Sequence, residues 1–206
     1  MLREGMLEFG VSLLDFCVTS NHAHLMVYAE ESQPISAFMQ KVEGEFAQAY
    51  NRRHHRSGAF WSDRFHCTII EPGRHLEQCL VYIDLNMVRC GVVPHPREWP
   101  WCGHNELMGL RRRYRLLDLE QLLSLLGACG AEQFRTHYAA MIEERIARNE
   151  LSRESRWTES VAVGSEGFVR EIESRIRGRQ QMEVVSQANC WILREVGTVY
   201  ETSPRL

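Results

Sequence analysis

His22 and His24 stand two residues apart at the head of an apolar run, Asn21-His22-Ala23-His24-Leu25-Met26-Val27. In a β-strand alternate side chains share a face, so both imidazoles project to one side while Ala23, Leu25 and Val27 project to the other. An imidazole pair can supply two ligands to one divalent ion, but a catalytic ion needs a further protein ligand and open positions for substrate. Residues 81–89, VYIDLNMVR, contain a candidate. They read as helix, and the i, i+4 spacing of Tyr82 and Asn86 sets the two on one helical face. Asn86 then offers its carbonyl oxygen to the ion, while the Tyr82 hydroxyl points at whatever the ion polarises. A metal pair on a strand beside a tyrosine on a helix points to nucleophilic attack on a phosphodiester.

Each feature has a plainer reading when taken alone. An isolated His-x-His on a strand is more often structural than metal-binding. A helical Tyr usually sits at the core boundary with its hydroxyl at the edge, and an Asn within a helix often bonds only a neighbouring loop. Their combination, with the flanking motifs below, makes coincidence a poor explanation.

These residues need elements to hold them. Residues 11–18, VSLLDFCV, are rich in β-branched and aromatic types and read as a strand; Thr19-Ser20-Asn21 supply a turn before the histidine strand, which runs to about Ala29. Ser32 is placed as a helix N-cap with Pro34 in the first turn, and Ile35, Phe38, Met39, Val42 and Phe46 follow at helical spacing towards an end near Asn51. Residues 66–70 read as a short strand. Pro72-Gly73 open the tyrosine helix, whose stripe of Leu76, Leu80, Ile83 and Met87 leaves Tyr82 and Asn86 off the apolar face; Gly91 ends it. Strands alternating with helices predict an antiparallel α+β sheet.

Between Asn51 and His66, Arg52, Arg53, Arg56 and Arg64 face one acid, Asp63, in a chain of 206 residues with a net charge of −3. Nucleic-acid contact in such a protein must be a local patch, and a histone-like nonspecific binder is excluded. Tyr50, Phe60, Trp61 and Phe65 are interleaved with these arginines and can stack on unpaired bases while the guanidiniums track phosphates. For Trp61 and Phe65, packing in the core is an equal expectation. Seven cysteines without a C-x-x-C pair exclude a disulfide framework or zinc ribbon and suit a reducing cytoplasm. Cys17, Cys67, Cys79 and Cys90 read as small buried apolar residues. No apolar run approaches the roughly 20 residues of a membrane span, so a soluble, cytoplasmic protein is expected.

Four motifs occur in order between Thr19 and Gly103: TSNHAHLMV, AYNRRHHRSGAFWSDRF, HLEQCLVYIDLNMVRCGVV and PREWPWCG. Together they resemble the REP-associated tyrosine transposases, in the single-tyrosine branch of the HUH endonuclease superfamily, with its IS200-like transposase domain. The resemblance implies a ferredoxin-like fold and an enzyme that cuts and joins single-stranded DNA near hairpin-forming repeats. It also implies Tyr82 as nucleophile and His22 and His24 as metal ligands with Asn86 completing the site, while the arginine-rich stretch makes Arg52, Arg53, Arg56, Arg64 and Trp61 the expected DNA contacts. A divalent metal, Mg²⁺ or Mn²⁺, is the expected cofactor. The expected intermediate is a 5′-phosphotyrosine, which conserves bond energy and needs no nucleotide cofactor.

Members of this family begin with a further strand and helix, whereas about ten residues precede Val11, so the sheet is expected to lack its first strand and helix. The domain organisation expected is residues 1–110 as the transposase domain and 111–206 as a helical C-terminal extension. That extension holds the basic run Arg111-Arg112-Arg113-Tyr114-Arg115, apolar helical character over 116–126, a charged amphipathic helix over 134–151, and a family-like segment through 157–164 and 166–177 that reads as a repeat-reading unit or a lid. Two alternatives stay open: a noncatalytic DNA-binding remnant of a transposase, and a hydrolase using the histidine-bound metal to activate water. Monomer and homodimer are equally open.

Overall fold

The computed structural model describes residues 1–111, 113–176, 181–187 and 189–196. In chain order its elements are α1 (Leu2–Phe9), β1 (Ser12–Val18), β2 (Ala23–Tyr28), α2 (Gln33–Arg53), β3 (Ile69–Ile70), α3 (Arg74–Asp84), α4 (Asn86–Arg89), α5 (His104–Leu107), α6 (Leu119–Leu126), α7 (Ala131–Ala147), β4 (Ala162–Gly164), α8 (Glu166–Arg175), β5 (Met182–Gln187) and β6 (Cys190–Glu195). Arg112 of the basic run and Arg177 at the end of the last expected helix lie outside the described residues. The architecture is α+β with antiparallel and mixed sheets, compatible with a ferredoxin-like arrangement followed by helices.

The chain forms two compact units. The first comprises residues 1–65 and 80–151. At its centre β1 buries every residue from Leu13 to Cys17, and it pairs antiparallel with β2, Cys17 opposite His24 and Val18 opposite Ala23. The other edge of β1 is also occupied. Val18 N–H donates to the Trp101 carbonyl, Gly103 N–H to Phe16 and Asp118 N–H to Leu13, each within 2.9 Å. A register shift between Leu13 and Asp15 places the Asp15 carboxyl fully inside.

Residues ahead of β1, given no element by the sequence, fold as α1 and lie close against α2. A Cβ on Gly5 would come within 3.0 Å of the Phe38 ring, so glycine permits the approach. Ser32 does occupy the position before α2, but its hydroxyl makes no capping bond, and Pro34 in the first turn sets the start. Asp118 caps α6 through a 3.0 Å bond to Gln121 N–H. Phe134, Tyr138 and Ile142 recur at i, i+4, i+8 on α7 and are all buried.

The tyrosine helix departs from expectation in one respect. An unbroken helix through Tyr82 and Asn86 was predicted, but the helix pauses at Leu85 (φ −77°, ψ 3°) and resumes as α4. The apolar stripe is as expected, with Leu76, Leu80, Ile83 and Met87 all buried. Gly91, at φ +69°, takes the left-handed conformation that closes α4, and Val92 N–H reaches back to the Met87 carbonyl.

The second unit comprises residues 66–79 and 152–206. Its sheet has the order β3-β4-β6-β5, with β3 parallel to β4 and the other pairs antiparallel. Helix α8 lays Val169 against Ala162 and Leu193. The strand expected over 66–70 is reduced to Ile69–Ile70, because β4 offers partners only to those two residues and the Thr68 hydroxyl bonds the Ser160 carbonyl instead. Beyond the helices anticipated for this region, the β5–β6 hairpin adds strand structure that its short apolar runs did not announce.

All seven cysteines are free. Cys17 and Cys79 are buried as expected, whereas Cys67 and Cys90 are exposed: Cys67 precedes β3 in irregular chain and Cys90 follows the last turn of α4. Among the described residues no helix is long and apolar enough to cross a membrane.

Candidate active site

The β1–β2 turn is built by Thr19. Its hydroxyl donates to the His22 carbonyl at 2.9 Å and accepts from His22 N–H at 3.1 Å. This closed turn fixes the backbone at which the histidine strand begins. His22 therefore sits just ahead of β2 and His24 within it, and the two rings meet edge to face with centroids 5.0 Å apart. His22 Nδ1 lies 2.8 Å from Asn21 Oδ1 and 3.0 Å from Thr19 Oγ1. With Nδ1–H donating to Asn21, Nε2 carries the lone pair, the arrangement by which an outer partner orients a metal-binding imidazole.

Both rings are neutral at pH 7. Burial, then the charges of His22 and Arg89, push the His24 ring down to about 4. Burial and Arg89 also hold His22 below the usual histidine range. Neutral imidazoles are the form that donates to a metal.

Helix α3 brings Tyr82 to this pair. The Tyr82 ring stands edge to face with His24, centroids 6.1 Å apart. Asn86 begins α4 with 4% of its surface exposed, and its Oδ1 is buried without a hydrogen-bond partner. An orphaned carbonyl-type oxygen at depth carries a desolvation cost unless something binds it. Oxygen and two neutral imidazole nitrogens are a donor set that suits a divalent ion such as Mn²⁺ or Mg²⁺. Among the described residues no cluster of three or more His, Cys, Asp or Glu is placed to hold an ion.

Several contributors were invisible to motif reading. Arg89, the last residue of α4, lays its guanidinium 4.2 Å from the centroid of the Tyr82 ring and donates to the Tyr82 carbonyl at 3.4 Å. Its spacing of seven from Tyr82, two helical turns, was the signal in the sequence. Asp84, the last residue of α3, accepts from the Tyr138 hydroxyl and from His104 Nδ1–H, both at 2.8 Å, deep inside. These bonds anchor the helix between Tyr82 and Asn86. No spacing rule links Asp84 to residues 104 and 138.

Arg52, Arg53, Arg56 and Arg64 are all exposed, and among the described residues none pairs with a carboxylate. Arg56 stands 5.7 Å over the Tyr50 ring. Trp61 donates its indole N–H to the Glu43 carbonyl at 3.0 Å and touches Phe46 and Phe60, with centroids 5.6 and 4.8 Å away. The half-buried indole thus fastens the 54–65 loop to α2. Tyr50 is stacked on His54 at 4.2 Å. His75 lies 3.6 Å from Glu71 and His66 lies 3.1 Å from the Ser160 carbonyl.

Residues 1–86 match the family model described as Transposase IS200 like. No curated protein and no solved structure matches the chain.

Proposed function

We propose, from the premise that residues 1–86 are an IS200-like transposase domain, that this protein cleaves and rejoins single-stranded DNA at hairpin-forming repeats through a 5′-phosphotyrosine on Tyr82. The observation that carries the reading is the edge-to-face meeting of Tyr82 with His24, which in turn meets His22.

DNA enters against the unpaired arginines at the end of α2 and in the following loop. Arg52, Arg53, Arg56 and Arg64 track phosphates, while the half-buried rings of Tyr50 and Phe60 offer stacking partners to splayed bases. Trp61 acts by holding that loop. His22, His24 and Asn86 would hold a divalent ion, which when bound polarises a non-bridging phosphate oxygen and stabilises its developing charge. Thr19 and Asn21 keep the His22 ring turned for that purpose. The Tyr82 oxygen attacks phosphorus, the P–O3′ bond breaks, the phenolic proton is lost and the departing 3′-oxygen takes up a proton. The bond count is unchanged, so a second 3′-hydroxyl can reverse the step and join strands. A transposase acting on chromosomal DNA would work in the cytoplasm.

The test is incubation with end-labelled hairpin DNA in Mn²⁺ or Mg²⁺, resolved under denaturing conditions. A metal-dependent covalent adduct lost in Tyr82→Phe and His24→Ala is expected. Cleavage that persists in Tyr82→Phe would establish a water-using hydrolase instead, and binding without cleavage a noncatalytic relic.

A further inference from the structure

We infer that Arg89 grips the scissile phosphate, a role that rests on the strand-cleavage reading of this site. Its guanidinium lies 4.2 Å from the centroid of the Tyr82 ring. The Tyr82 ring stands 6.1 Å from the His24 ring, and His24 stands 5.0 Å from His22, so the guanidinium closes a chain of contacts through the side chains that would handle the phosphate.

Among the described residues the charge has no carboxylate to neutralise it. Arg89 is half-buried, and its one hydrogen bond among those residues is the 3.4 Å contact from Nη1 to the Tyr82 carbonyl. A guanidinium has five N–H donors in a planar fork. Most of the fork remains for an anion whose oxygens match it, and phosphate is the anion that Arg binds through two parallel bonds. Arg89, stacked over the Tyr82 ring, brings a fixed positive charge to the phosphate. It would neutralise the bound diester and favour the extra charge that gathers on the non-bridging oxygens as Tyr82 attacks.

The break at Leu85 fits this role. α4 restarts at Asn86 and ends at Arg89, so one short helix carries both residues, and its end lays the Arg89 fork over the Tyr82 ring. The competing view is that Arg89 is only a cap for the Tyr82 carbonyl, holding the ring in place.

Substrate charge separates the two. A strand is made with one neutral methylphosphonate at the cleavage position, and wild type, Arg89→Gln and Arg89→Lys are compared on it and on the ordinary diester. On the diester, Arg89→Gln should slow adduct formation about 10²-fold or more, and Arg89→Lys should recover part of the loss. On the methylphosphonate, wild type and Arg89→Gln should become nearly equal. Binding in EDTA supplies a second readout: wild type should bind the methylphosphonate strand more weakly than the diester, and Arg89→Gln should bind both alike. Equal losses on both strands, with wild-type binding indifferent to the substitution, would overturn the inference and leave Arg89 a cap. If wild type forms no adduct on the diester in any metal, the strand-cleavage reading fails, and the phosphate grip fails with it.

Discussion

His24 and Tyr82 stand edge to face, ring centroids 6.1 Å apart and planes at 75°, although one belongs to a hairpin strand and the other to a helix. The contact joins an imidazole to a phenol, which neither element supplies alone. Tyr82→Phe keeps the ring and removes only the oxygen. It should leave folding and DNA affinity intact while lowering adduct formation at least about 10³-fold, measured by denaturing electrophoresis beside an affinity titration.

Removing the Asn86 amide should weaken metal more than fold. Its Oδ1 makes no protein hydrogen bond, so Asn86→Ala loses no such bond while metal loses a ligand. Asn21→Ala acts one shell further out by freeing the His22 ring, and should cost about 10- to 100-fold in Mn²⁺ affinity. Calorimetric titration of Mn²⁺ checks both, and unchanged affinity in Asn86→Ala would remove that residue from the site.

Acid should destabilise the fold through His24. The unfolded imidazole takes its proton near 6.5, whereas the folded one resists protonation until about 4. Between those values the unfolded chain binds more protons, so stability is complete above about pH 6.5 and falls as pH drops towards 4, by up to about 1.4 kcal/mol per pH unit. His22 acts in the same direction. Thermal melting from pH 4.5 to 8 should show the fall in wild type and a flatter profile in His24→Gln.

The buried Asp84 anchor should matter to stability and to the site together. Tyr138→Phe removes the hydroxyl that donates to Asp84 and leaves a buried carboxylate oxygen short of a partner, at a cost of about 1–3 kcal/mol. Urea unfolding measures the loss. Because Asp84 ends α3 between Tyr82 and Asn86, adduct formation should fall in the same variant while DNA affinity stays level.

The arginine patch should reveal itself through salt. Each of Arg52, Arg53, Arg56 and Arg64 is exposed and unpaired among the described residues, so each alanine substitution should reduce the log–log salt slope of single-strand binding by about 0.7. Trp61→Ala should act differently, by releasing the 54–65 loop from the Glu43 carbonyl. Its readout is raised protease sensitivity of that loop together with weaker binding.

The residue types at the site, and much of the local structure, were already determined by the sequence. The apolar run after His22 marks the histidine strand, helical spacing marks α2 and the tyrosine helix, and glycine at position 91 marks its stop, because these patterns depend on backbone period and local sterics alone. Tertiary structure alone decided the pause at Leu85, the arrival of His104 and Tyr138 at Asp84, and the pairing of β3 with β4. Each of these depends on groups distant in sequence, or on a side chain competing for a backbone carbonyl. Local periodicity carries no information about which distant donor reaches a buried acceptor. That choice is settled only when the core closes and every buried polar group must find its partner.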